Sequence, residues 1–170
     1  MRMIIVGNSG SGKTWLAKNL AKTDRCPVIH LDHIFWEPDG FDKKRPPELI
    51  AKMIDESTNG VSWIVEGVFG ELAEKFIERA QCFVWLDIDW PTCRDRLLKR
   101  KSESKRHMGR KESEEGLRNL IEWASRYYER KDARSYVGHK KLMSNFHGEK
   151  IYITSEADAV KMVEKAQYQL

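Results

Sequence analysis

Residues 7–14 read Gly7-Asn8-Ser9-Gly10-Ser11-Gly12-Lys13-Thr14, a complete match to the phosphate-loop pattern G-x-x-x-x-G-K-[ST]. With glycine near ~7% of average composition, the two fixed glycines followed by Lys and Ser/Thr recur by chance on the order of once in tens of thousands of starts. Upstream, Met3-Ile4-Ile5-Val6 is the short apolar run of a buried parallel strand, and downstream Trp15, Leu16, Leu20 and Ala21 recur at helical spacing. The octapeptide therefore joins a strand to a helix. Gly7, Gly10 and Gly12 let the backbone N–H groups turn inward around phosphate oxygens, and the helix N-terminus adds its positive dipole at the same point. Lys13 is placed for the β and γ phosphates of a nucleoside triphosphate and the Thr14 hydroxyl for Mg²⁺.

The rest of the chain alternates in the same way. Strands are expected at Pro27–Leu31, Val61–Val65, Cys82–Leu86 and Lys150–Thr154. Helices are expected at Pro47–Ser57, Glu71–Ala80, Pro91–Lys101, about Ser113–Lys131, and after the Ser155-x-x-Asp158 cap. That order predicts an α/β, three-layer fold with a parallel sheet and helices on both faces, as one domain over residues 1–170. Ligands of such sheets bind at the carboxyl ends of the strands, which draws attention to Asp32, Glu66-Gly67, Asp87 and Thr154.

Asp32 is a candidate base for an attacking hydroxyl or a holder of a metal-bound water, and Glu66 a second candidate for Mg²⁺. Asp87 reads better as structural. His30 and His33 read as structural or substrate-lining, because strand alternation separates neighbours and no third ligand spacing supports a metal site. Phe35, Trp36, Phe41 and Trp63 near the strand ends are candidates for stacking on a substrate, although large aromatics are more often plain core.

The net charge is +4, and residues 94–118 hold ten Lys or Arg against five Asp or Glu, a net of +5 that leaves −1 for the remainder. A polyphosphate held at short range, or a nucleic acid held along a surface, would use such a segment. Arg96 and Arg100, four apart on one helix face, suit the neutralisation of charge in phosphoryl transfer. Arg106, Arg110, Arg126 and Arg130 can close from the other side, with Arg130 and Arg134 also readable as solvated. No apolar run is long enough to span a bilayer, and Cys26, Cys82 and Cys93 lack paired spacing, so a reduced, cytoplasmic protein is expected.

The order of these motifs resembles the nucleoside monophosphate kinase-like P-loop proteins, which include adenylate, gluconate and shikimate kinases. H-L-D-H-I-F-W (residues 30–36), W-I-V-E-G (63–67), V-W-L-D-I-D-W-P-T-C-R-D-R-L-L-K-R (84–100) and L-I-E-W-A-S-R-Y-Y-E-R (120–130) look more closely like the bacterial DNA topology modulation, or FlaR-like, proteins. The resemblance implies a five-stranded parallel sheet, an acceptor-binding insertion at about 32–59 and a short Arg-bearing lid at about 100–116. It also implies ATP and Mg²⁺ as cofactors, with Lys13, Asp32, Arg96 and Arg100 in catalysis and Thr14 and Glu66 at the metal. Asp32, Phe35, Trp36, Glu66, Gly67 and Arg126 fall on the acceptor side. Asp32 stands where shikimate-type kinases keep an acid that meets the acceptor hydroxyl. Adenylate kinases follow their Asp-Gly with Phe-Pro-Arg, whereas this chain continues Val68-Phe69-Gly70, without the arginine that grips a monophosphate. The expected activity is transfer of the γ-phosphoryl group of Mg-ATP to a small hydroxyl-bearing metabolite, nucleoside or nucleotide, by a monomer or homodimer. The alternative is an ATP-dependent regulatory protein bound to nucleic acid, for which no recognition motif is visible.

Overall fold

The first strand, β1 (Arg2–Gly7), is buried on both faces, and its alternation divides the core in two. Ile4 and Val6 face one apolar cluster, Met3 and Ile5 the other. In this computed structural model, which describes residues 1–38, 43–107 and 114–168, four further strands run parallel to it. They are β2 (Val28–His30), β3 (Trp63–Gly67), β4 (Cys82–Leu86) and β5 (Glu149–Ile153), in the spatial order β2-β3-β1-β4-β5. The sheet grows in opposite directions from β1, which puts the loop after β1 at the reversal point of an open parallel sheet.

Helices cover both faces. On one side α1 (Lys13–Asp24) and α8 (Glu156–Tyr168) close over Met3, Ile5, Ile64 and Val84. On the other, α2 (Leu31–Phe35), α3 (Pro47–Ser57), α4 (Gly70–Ala73) and α7 (Tyr136–Asn145) enclose Trp63, Val65, Phe83 and Trp85. A 3₁₀ turn (Glu74–Arg79) follows α4, while α5 (Trp90–His107) and α6 (Glu114–Ser125) flank the expected lid. This is the three-layer, five-stranded parallel architecture that the alternation predicts. Among the described residues no helix is long and apolar enough to cross a membrane. The three cysteines are unpaired, and burial pushes the Cys82 thiol up to about 12.

Several boundaries differ from the expectation, each for a physical reason. The second strand stops at His30, its last residue in register with β3, and Leu31 packs over Gly67 as the chain turns into α2 with Asp32 in its first turn. The third strand starts at Trp63 rather than Val61, which is 95% exposed, because β1 supplies partners only from Arg2 onward. The helix after β4 runs to His107 instead of ending near Lys101. Residues 108–113 of the expected lid, the side chain of Arg100 and Phe41 lie outside the described residues.

The long helix expected over 113–131 ends at Ser125, and a separate helix, α7, was not expected at all. Its start is fixed by Ser135, whose Oγ accepts the Gly138 N–H at 3.2 Å and donates to the Asp132 carbonyl at 2.6 Å. Ser135→Ala is expected to cost about 1 kcal/mol, lowering the thermal midpoint by roughly 2–4 °C in a scanning melt.

Candidate functional site

The phosphate loop is held from behind as well as by its own sequence. Gly10 and Gly12 adopt φ of 81° and 98°, left-handed conformations that L side chains rarely take. A Cβ on Gly10 would stand 2.4 Å from the Cys93 carbonyl oxygen, so the loop lies directly on α5. Asn8 ties the loop to α6, its Nδ2 donating to the Ala124 carbonyl at 2.9 Å, while its Oδ1 accepts the Ser9 N–H at 2.8 Å. Lys13 is nearly buried, and its ammonium donates to the Asn8 carbonyl at 2.8 Å across the loop. Ser11 Oγ is buried in the loop without a hydrogen-bond partner.

Glu66, at the end of β3, faces this loop from the neighbouring strand. Its Oε1 accepts the Thr14 hydroxyl at 3.0 Å and the His30 Nδ1–H at 2.5 Å. Because a carboxylate accepts, the His30 proton resides on Nδ1. Burial opposes ionisation of Glu66, yet the His30 hydrogen bond, the Lys13 charge and the Thr14 hydroxyl outweigh it and hold the carboxyl below its usual range. His30 thus gains a defined place beside the carboxylate. A hydroxyl and an ionised carboxylate are hard oxygen donors, and Mg²⁺ carried on phosphates needs only one or two such protein ligands. The donor set therefore fits that ion.

The remaining candidates divide. Asp32 is half-buried in the first turn of α2, immediately beyond the strand that carries His30. Trp36 is half-buried and bridges to Lys44. Phe35 is only 6% exposed and packs in the core against Trp36 and Phe69, which is its plain-core reading rather than the substrate-stacking one. Gly67 makes room for Leu31, whose Cβ would stand 2.7 Å from an added Cβ, rather than for a ligand. Arg126 is 63% exposed and paired with Glu129, two residues beyond the Ala124 carbonyl that Asn8 of the loop contacts. Asp87 accepts hydrogen bonds from Tyr128 at 2.7 Å and Tyr152 at 2.5 Å.

Two arginines that the sequence leaves open as solvated are ordered instead. Arg130 lies 3.9 Å from the Trp123 ring centroid and pairs with Asp132 at 2.7 Å. Arg134 lies 4.5 Å from the Phe35 centroid and 4.4 Å from that of Phe69, and pairs with Glu71 at 2.5 Å. Gly70 permits this approach, since a Cβ there would stand 2.0 Å from the Ala133 carbonyl oxygen. A guanidinium thus stands over Phe69, in the turn where the Phe-Pro-Arg signature is missing. Arg134 is separated from Glu71 by 63 residues, a pairing that no local pattern announces.

Arg96 reaches the loop from outside. Its Nη1 donates to the Ser11 carbonyl at 3.1 Å and lies 3.4 Å from that of Gly10, and its Nη2 pairs with Glu156 at 3.1 Å. Beside it opens a recess of about 210 Å³, lined by Ser11, Gly12, Trp15, Ile88, Arg96 and Glu156 among others. Trp15, expected on the buried stripe of α1, is 47% exposed there.

A family model described as an AAA domain matches residues 3–118. The chain belongs to this AAA-domain family. Solved structures similar to this AAA-family chain include shikimate kinase from Bacteroides thetaiotaomicron, at 18% identity and a TM-score of 0.54, covering 99% of this chain and 97% of that one. The YorR protein of Bacillus subtilis, solved in complex with phosphorylated GDP, is similar at 14% identity and a TM-score of 0.55, covering 99% and 95%. Shikimate kinase from Acinetobacter baumannii, in complex with shikimate, is similar at 15% identity and a TM-score of 0.52, covering 96% and 89%. At such identities the likeness establishes the fold. No curated protein matches the AAA-family chain.

Proposed function

We propose that this chain is a Mg²⁺-dependent kinase that transfers the γ-phosphoryl group of ATP to a small hydroxyl-bearing acceptor. The observation that carries the proposal is the convergence of Thr14, Lys13 and an ionised, buried Glu66 at the carboxyl edge of β1 and β3. Lys13 and the loop amides hold the phosphates, with Thr14 and Glu66 as the protein oxygens for Mg²⁺. Bound there, Mg²⁺ would neutralise charge on the transferring phosphoryl group. Asp32 orients the acceptor hydroxyl and takes its proton as the new oxygen–phosphorus bond forms and the bond to the β-phosphate oxygen breaks. Arg96 braces the loop through its carbonyls, and Arg100, in the basic segment, is the candidate to meet charge developing in the transition state.

Arg134, stacked on Phe35 and Phe69, is already neutralised by Glu71, so the class of acceptor rests on Asp32 and the hydroxyl it would meet. The fold shared with shikimate kinases supports the same class. The closer resemblance to DNA topology modulation proteins rests on the sequence motifs alone, and a nucleic-acid role would express itself through the basic segment.

The test is ADP production from Mg-ATP against a panel of hydroxy acids, polyols, nucleosides and nucleotides. An acceptor-dependent signal is expected, reduced about 10²-fold by Asp32→Asn, with the larger effect on kcat. If no acceptor raises ADP above the Lys13→Ala background while DNA binding shows a steep salt dependence, the kinase reading fails and the regulatory one replaces it.

A further inference from the structure

A nucleotide bound through its phosphates at the loop must send its base somewhere, and the recess beside Gly12 is adjacent. Trp15 lies two residues after Lys13, in the first turn of α1. It stands off the stripe that buries Leu16, Ala17, Leu20 and Ala21, so the core does not explain an indole at this position. The recess wall opposite the solvent is apolar, with Leu86, Ile88 and Ala159 all buried. Its charged groups are already committed, Arg96 to the Ser11 carbonyl and to Glu156, and Glu156 is itself 71% exposed. An ion pair presents donors and an acceptor together, and at a wet rim it discriminates weakly between base edges. A planar indole, by contrast, stacks on any base, since every base has a π-face.

From this geometry we infer that Trp15 is the stacking platform for the base of the bound triphosphate, and that the site grips its nucleotide by stacking rather than by reading the base edge. Adenine and guanine triphosphates then bind alike. The inference rests on the reading of the loop as a nucleoside triphosphate site, but not on transfer to an acceptor.

Binding of ATP, GTP and inorganic tripolyphosphate to the full chain with Mg²⁺, followed by calorimetry, tests it. For the wild type, Kd values for ATP and GTP are expected within about threefold of each other. Trp15→Ala is expected to weaken both by about 10- to 100-fold and to leave tripolyphosphate unchanged, while Trp15→Phe retains most of the affinity. Unchanged nucleotide affinity in Trp15→Ala overturns the platform, and so does a parallel loss for tripolyphosphate, which would mean that the indole acts on the loop. A preference between ATP and GTP above about 30-fold overturns the indifference to the base. A wild type that binds neither triphosphate sinks this inference together with the kinase reading. One that binds both through Trp15 but phosphorylates nothing sinks only the kinase reading.

Discussion

Lys13→Ala is expected to lower acceptor-dependent ADP formation by about 10³-fold or more while leaving the protein folded. The loss follows from where the ammonium sits: nearly buried, donating across the loop to the Asn8 carbonyl, and close enough to Glu66 to favour its ionised form. A point charge in a site partly screened from water acts on phosphate oxygens far more strongly than one in bulk solvent. Phosphoryl transfer leaves the protein little to do except position and neutralise, so removing one such charge falls mainly on the rate. The fold is expected to tolerate the change because Thr14 and His30 still bond the Glu66 carboxylate, and the truncation also removes a cation that was costly to desolvate.

A second readout separates an electrostatic from a merely structural effect. Lys13 is among the influences that hold the Glu66 carboxyl below its usual range, so its removal shifts that titration upward. A carboxyl-selective NMR titration of the variant is expected to show Glu66 moving toward the ordinary carboxylate value. An unmoved titration, or activity within tenfold of wild type, would show that the ammonium does not face the reacting phosphates.

How much of this was legible in the chain depends on how local each signal is. The loop at residues 7–14 is self-contained, since its glycines, its lysine and the flanking strand and helix lie within one supersecondary unit, and it folds as read. Strand β4 and helix α3 match residue for residue, because an apolar run and a proline-opened amphipathic stretch need no distant partner to define them. Leu31 misleads because β-branched and apolar neighbours extend the strand pattern, whereas the pairing with β3 stops at His30 and Leu31 is drawn over Gly67 into α2. The pairing of Glu66 with Thr14 is half-legible, as Glu66 lies at the end of β3 and Thr14 opens the helix that follows the loop after the adjacent β1. Arg134 is not, because its position depends on Gly70 and Gly138 admitting the 132–134 turn against the β3–α4 connection. Ser135 was the available signal for α7, hidden by the apparent continuation of the preceding helix.

His139→Leu is expected to destabilise the protein by about 3 kcal/mol at pH 7, lowering the thermal midpoint by roughly 6–12 °C. His139 has no exposed surface and links three elements. Its Nε2–H donates to the Val68 carbonyl at 2.9 Å, its Nδ1 accepts the Tyr127 hydroxyl at 2.7 Å, and that hydroxyl accepts the Trp85 indole N–H at 3.0 Å. Leucine fills the space but strands the Val68 carbonyl and the Tyr127 proton in a dry core, each at about 1–3 kcal/mol.

The same ring makes the wild type acid-sensitive in a defined window. Burial pushes the His139 pKa down from its ordinary 6.5 to about 4. The unfolded chain therefore binds a proton that the folded chain refuses, and the stability present above pH 6.5 is lost as pH falls toward 4. The gap corresponds to about 3 kcal/mol, comparable to the cost of the substitution, so the wild-type and His139→Leu stability curves should converge near pH 4. The carboxylate at Glu66 contributes in the same direction but only at lower pH, because its value is already depressed. Urea denaturation of both proteins at intervals from pH 7.5 to 4.5 resolves the two. A wild-type curve that stays flat over that range, or a leucine variant that keeps the slope, would show that His139 is protonated in the fold and that the Tyr127–His139–Val68 chain does not anchor α7 to the turn after Gly67.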